Sequence, residues 1–350
     1  MLKRYDRVSA KDRFNGSDAA ELAKWQSKER ESLGKLTGTK RLLEDDGKLG
    51  NKALRYDLEK TDCETLSDGI IRSRLVLGID KLNYIPMYVL EPADKPKGTV
   101  LALGGHQGAG SYSVAGVSDI PIVKEKIDFF GYDYGLKLAR LGYTAICPDP
   151  RGFADRRDAA VQGDDVKDWI SCSCRNISNM AIPMGLSVIG LCVYDCIKLI
   201  DYMELTGEWN TDNLGCIGFS GGGMQTLFLT ALEPRIKLAM ISGYMYGYRD
   251  SLLKLNNNCS CNYVPGLWEH LDMGDIGCLI APRPVLIQSC ESDHLNGERG
   301  LVNVYEQVDI MRKAYALFGK EANLRHDIRP GGHMFHSEPM EGFFKEFGER

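Results

Sequence analysis

No stretch of this sequence is apolar enough to read as a membrane span; the longest candidate, 184–203, carries Asp195 and Lys198. Basic residues form no block and the formal net charge is −5, so a nucleic-acid partner has no electrostatic footprint. The opening MLKRYDRVSAKDRF has basic residues with no apolar run behind them, which predicts that a signal peptide is absent. There is no internal repeat and no low-complexity tract. The 11 cysteines are odd in number and scattered, which does not describe a disulfide framework. Cys147, Cys192, Cys216 and Cys290 sit in apolar runs, where a thiol behaves as a small buried hydrophobe. Together these features predict a cytoplasmic chain with reduced thiols, no nucleic-acid partner, no membrane partner, and room for an oligomer.

What is present is ordinary for a globular protein: 43% hydrophobic and 26% charged residues in a chain of 350. Residues 1–60 are polar and have too few apolar positions for a core of their own. Ser17-Asp18 is placed to cap a helix over 19–33. The expected organisation is an N-terminal helical extension over 1–70 and a catalytic domain over 71–350. From about residue 71, strands and helices alternate. Strands are expected at 72–78, 84–90, 99–103, 144–147, 214–219, 236–241, 284–289 and 324–328. Helices are expected at 130–141, 181–203, 221–232, 301–318 and 339–347. That rhythm predicts an α/β fold with a mostly parallel central sheet flanked by helices. Three connections, 106–129, 153–180 and 243–282, are too long for simple turns and are expected to form a cap over a binding site.

Gly218-Phe219-Ser220-Gly221-Gly222 is a G-x-S-x-G sequence between an apolar strand and a helix. A nucleophile elbow needs that strand–turn–helix setting, because the strained serine tolerates only small neighbours two residues away. A serine hydroxyl needs a base, and the chain has only six histidines. His333 follows the last strand in a Gly-Gly-His loop and is the expected base, with His336 as runner-up. His326 lies within a strand and reads as structural; His270 reads as a surface residue. Asp293, after the strand at 284–289, is the expected acid, with Glu291 as its competitor. The order serine, acid, histidine is the one associated with such an elbow. The N–H groups of Gly221 and His106 are expected to hold the oxyanion, with Gln107 next in line. Gln107 and Trp268 are the expected substrate contacts, and Tyr244 and Tyr246 are further aromatic candidates.

The stretches 103–108, Pro148-Asp149-Pro150-Arg151-Gly152, Gly218–Gly222 and Gly331-Gly332-His333 resemble the acetyl xylan esterase and dienelactone hydrolase-like branch of the α/β-hydrolases. Residues 212–222 and 280–287 are similar to the same branch, and the likeness covers about 70–348. It implies an α/β-hydrolase fold and cofactor-free hydrolysis of carboxylic esters, often those of acetylated carbohydrates. Two departures stand out. Gly104-Gly105 replaces the usual His-Gly after the third strand, and serine replaces the cysteine of dienelactone hydrolases proper. The expected partner is a small-molecule or oligosaccharide ester. The alternatives are an amidase or peptidase of the same fold, or a non-catalytic binding protein on that scaffold. A further alternative, a metal-dependent hydrolase, hangs on two C-x-C pairs, Cys172/Cys174 and Cys259/Cys261. They would suit zinc only if their loops converge, and the spacing is not C-x-x-C. They are therefore read as loop thiols, with no metal and no cofactor expected.

Overall fold

Short apolar runs bounded by glycine and proline become the strands of one sheet. The computed structural model describes residues 1–49, 56–80, 82–163 and 165–349. Among these, nine strands run β1 (Asp57–Thr65), β2 (Ile71–Gly78), β3 (Tyr84–Glu91), β4 (Thr99–Leu103), β5 (Thr144–Pro148), β6 (Gly215–Phe219), β7 (Leu238–Ser242), β8 (Val285–Cys290) and β9 (Leu324–Arg329). Their order across the sheet is β1-β2-β3-β5-β4-β6-β7-β8-β9. β1, β2, β3 and β5 pair antiparallel; from β5 to β9 every pairing is parallel.

β4 to β8 are buried throughout because helices cover both faces, as a parallel sheet requires. Alternate residues divide between two cores. Leu101, Leu103, Cys216, Ile241 and Ile287 pack on one face, under the helices Val188–Thr206 and Gly221–Leu232. Val100, Ala102, Ile217, Phe219 and Met240 pack on the other, with Tyr134 and the C-terminal helix Glu338–Phe347.

Several boundaries differ from the sequence reading, each for a local reason. The helix expected at 181–203 is two segments, Cys174–Ala181 and Val188–Thr206. Gly185 turns left-handed between them, and the Ser187 hydroxyl accepts from Gly190 N at 3.1 Å to start the second. The helix expected at 130–141 is likewise split, at Gly131 with φ 73°, into Pro121–Phe130 and Tyr134–Arg140.

The extension over 1–70 is not helical throughout: β1 belongs to the sheet. Its sequence, DLEKTDCET, is an exposed and mostly charged edge, so it lacks the apolar alternation that marks a strand. The helix Ala19–Thr37 starts as expected, with Asp18 accepting from Glu21 N at 2.8 Å. Its Leu22 and Leu33 join the main core, and Gln26 Nε2 donates to the carbonyls of Cys278 and Ala281. Among the described residues, no single helix is long and apolar enough to cross a membrane.

Candidate active site

β6 ends at Phe219, and the chain turns at Ser220 with φ 58° and ψ −119° before the helix Gly221–Leu232. That backbone conformation is costly for a residue with a Cβ, so the surrounding contacts must impose it. They leave no room for side chains beside it. A Cβ on Gly218 would lie 2.2 Å from Gly222 O, and one on Gly222 would lie 1.9 Å from Leu103 O. Ser220 N donates to Ser242 O at 2.9 Å, pinning the turn to β7.

The serine is hydrogen-bonded through the expected partners. His333 Nε2 lies 2.8 Å from Ser220 Oγ, and His333 Nδ1 lies 2.7 Å from Asp293 Oδ2. Asp293 is buried, and its Oδ1 accepts from Leu295 N at 2.9 Å. The loops after β8 and β9 are tied by Glu291 N to Arg329 O and Ser292 N to Gly331 O, both 2.9 Å. Glu291 is exposed and makes its backbone bond there; the carboxylate on the histidine is that of Asp293. The His333 ring lies on Phe219, with centroids 4.6 Å apart, and a Cβ on Gly243 would come within 3.2 Å of its Cε1.

The other histidines sort by their partners. His336 N donates to Gln288 Oε1, which turns that residue back to the sheet. His326 Nε2 is 3.1 Å from Ser289 Oγ within β8–β9 pairing, and burial pushes its pKa down to about 4. His270 Nδ1 is 2.6 Å from Asp12 Oδ2, fastening the N-terminal extension.

The loop after β4 reaches the elbow because Gly105 has no side chain: a Cβ there would lie 2.6 Å from Phe219 O and 3.2 Å from Gly221 N. The His106 carbonyl accepts from Tyr132 Oη at 2.6 Å, and Gln225 Nε2 donates to Gly104 O at 2.9 Å, so the peptides of this loop are fixed. Gln107 takes a left-handed φ of 60°.

A cavity of about 680 Å³ opens over Ser220 and His333. Gln107, Tyr244 and Tyr246 line it, as does each of the three long connections. Trp268 does not. It stacks on Tyr248 at 5.7 Å and packs against Tyr5 and Tyr263 in a separate groove beside the N-terminal helix Leu2–Val8. Its place is fixed by aromatic packing with the extension, which the position of a tryptophan in an insertion does not announce.

The sequence reading missed Phe130, Tyr132, His294 and the amides Asn257, Asn258 and Asn262, all of which line the cavity. The run of three asparagines before Cys259 was the available signal. Tyr244 Oη donates to Asn262 Oδ1 at 2.8 Å. Burial holds the Tyr244 and Tyr246 phenols well above their ordinary pKa, so both remain protonated donors at neutral pH.

The two C-x-C pairs, expected to be loop thiols, do meet. Cys172 Sγ is 3.8 Å from Cys259 Sγ, and Cys261 Sγ is 3.3 Å from His106 Nε2. One ligand atom each from His106, Cys174, Cys259 and Cys261 lies within 4.8 Å of the other three.

No family model matches the chain. Over 254 residues it is 26% identical to the putative hydrolase YtaP of Bacillus subtilis (strain 168), covering 72% of this chain and 79% of that one. A putative acetyl xylan esterase from Bacteroides fragilis superposes with a TM-score of 0.73 at 17% identity, over 97% of this chain and 82% of the other. The chain has the α/β-hydrolase fold. A second structure with this arrangement, a glucuronoyl esterase from Solibacter usitatus, superposes with a TM-score of 0.64 at 15% identity, covering 98% and 96% of the two chains. In the α/β-hydrolase fold, ligands bind beyond the carboxyl ends of the parallel strands. Here Ser220, Asp293 and His333 all follow the ends of such strands: β6, β8 and β9.

Proposed function

We propose that this protein is a serine carboxylic ester hydrolase that removes short acyl groups, acetyl foremost, from carbohydrates or other small esters. The observation that carries the proposal is the hydrogen-bonded series Ser220–His333–Asp293 opening on a cavity. Two of its structural relatives bear esterase names, and the sequence relative bears a hydrolase name, which supports the same reading.

His333 takes the Ser220 proton as the oxygen attacks the ester carbonyl, and Asp293 holds the imidazole tautomer and stabilises the imidazolium. The Gly221 N–H, at a helix N-terminus, meets the developing oxyanion together with an N–H of the loop carrying His106 and Gln107. His333 then gives its proton to the leaving alcohol. Water, activated by the same histidine, releases the acid from the acyl-enzyme. A lining of amides and phenols (Gln107, Asn257, Asn258, Asn262, Tyr244, Tyr246) suits a substrate rich in hydroxyls.

The test is hydrolysis of a short p-nitrophenyl ester series and of acetylated sugars by the wild-type chain and Ser220→Ala. We expect acetate to be the best acyl group and the variant to lose about 10⁴-fold or more in kcat. Equal rates in both proteins would remove Ser220 from the mechanism. Wild-type preference for peptide amides over esters would replace the ester reading with the amidase one.

A further inference from the structure

We propose that His106, Cys174, Cys259 and Cys261 bind a structural divalent metal ion of the zinc class, which clamps the insertions around the active site. The side chains come from three separate connections: His106 follows β4, Cys174 lies between β5 and β6, and Cys259 and Cys261 lie between β7 and β8. Neither C-x-C pair makes a site alone. The fold brings them together against one histidine, with Cys174 and Cys261 buried and the other two partly so.

The spacing fits a tetrahedron. Zinc–sulfur bonds of about 2.3 Å and zinc–nitrogen bonds of about 2.0–2.1 Å give edges of roughly 3.8 Å between sulfurs and 3.5 Å between sulfur and nitrogen. Cys261 Sγ stands 3.3 Å from His106 Nε2, and all four donor atoms fit within 4.8 Å. Three sulfurs and one imidazole nitrogen are a donor set that favours zinc over magnesium or calcium, whose ligands are oxygens. A disulfide does not account for the cluster: its cysteines are free thiols, and Cys172 and Cys259 are 3.8 Å apart against a bond of about 2.0 Å. Cys172 lies outside the ligand set, beside Cys259 and facing the cavity.

Four protein ligands close the coordination sphere, so the ion supports structure and leaves no position for substrate or water. On binding, each of the three thiols releases its proton to solvent. The ion's reach into the active site is mechanical. The His106 ring lies against the start of the Ser220 helix: a Cβ on Gly221 would lie 2.6 Å from His106 Nδ1. Fixing the ring fixes the loop that carries the proposed second oxyanion donor. The metal site itself does not rest on the ester reading, because metal content is measured without substrate.

The experiment is zinc analysis of the reduced full-length chain, followed by cobalt substitution and an absorption spectrum. We expect about one zinc per chain, and a tetrahedral cobalt spectrum with thiolate charge-transfer bands. Cys174→Ser, Cys259→Ser and Cys261→Ser are expected to lose stoichiometric metal, while Cys172→Ser keeps it. If a ligand variant fails to fold, the wild-type stoichiometry and cobalt spectrum still decide. A reduced wild-type chain that takes up neither ion overturns the proposal, as does a disulfide among these cysteines in the freshly isolated protein. Metal retained by all three ligand variants also overturns it.

Discussion

At the scale of single residues, Asp293 and Glu291 make the sharpest contrast. They are two positions apart, yet one carboxylate is buried on His333 and the other faces solvent. Asp293→Asn is expected to leave the fold intact and lower kcat by about 10⁴-fold through loss of the correct imidazole tautomer. Glu291→Gln is expected to stay within about twofold of wild type, since surface changes away from such features are small. Steady-state kinetics on one ester compares the two directly.

His326 offers a test of a different kind. Burial, with Arg312 adding to it, lowers its pKa from 6.5 to about 4, so the folded state binds fewer protons than the unfolded chain between those values. Its contribution is fully present above pH 6.5 and is lost as the pH falls towards 4. Between pH 7 and 4.5 the wild type should lose about 2–3 kcal/mol relative to His326→Gln, read from urea midpoints at both pH values.

At the scale of elements, the stretches that carry the family resemblance divide between the candidate site and its bracing. Gly218–Gly222 forms the elbow, whereas Pro148-Asp149-Pro150-Arg151-Gly152 supports the scaffold. Arg151 binds Asp195 on the helix Val188–Thr206 through two bonds of 2.8 and 2.7 Å, and Arg156 adds a third at 2.7 Å. Burial disfavours the Asp195 charge, but Arg156 and Arg151 outweigh it and hold its pKa below the ordinary value. Asp195→Ala leaves two cations facing an apolar helix and is expected to cost about 3–5 kcal/mol, measured by chemical denaturation. Asp149, in the same stretch, accepts from Ser111 N and pairs with Arg74 of β2. Arg283, in the similar stretch 280–287, donates to the carbonyls of Thr230, Glu233 and Ile236 and so closes the end of the helix Gly221–Leu232.

At the scale of the whole molecule, the N-terminal extension is a strap across the domain. Arg13 forms a paired contact of 2.8 and 3.0 Å with Asp275, which is 1% exposed, and Asp12 holds His270. Trp25 Nε1 donates to Asp12 O at 2.7 Å, locking the strap to the helix that follows. Removing residues 1–16 uncovers the Asp275 carboxylate and the Trp268 face. We expect a lower thermal midpoint, by several degrees or more, and an apolar patch that binds a hydrophobic dye. An unchanged midpoint would show that the strap carries no stability.

The sequence by itself determined the alternating strands and helices, the strand–turn–helix at Ser220, and the order in which Ser220, Asp293 and His333 follow their strands. These are legible because each rests on local rules: apolar runs set buried strands, and crowding around a strained turn admits only glycine. His333 and Asp293 were within reach for the same reason, since each directly follows a strand. The tertiary structure alone decided the rest. Trp268 turns towards Tyr5 and Tyr248 instead of the cavity, β1 joins the sheet despite a charged sequence, and Phe130 and His294 arrive at the site. It also carries Cys174 and the Cys259/Cys261 pair to His106 across a separation of up to 155 residues. No periodicity encodes such meetings, because they depend on the paths of long loops over a finished sheet.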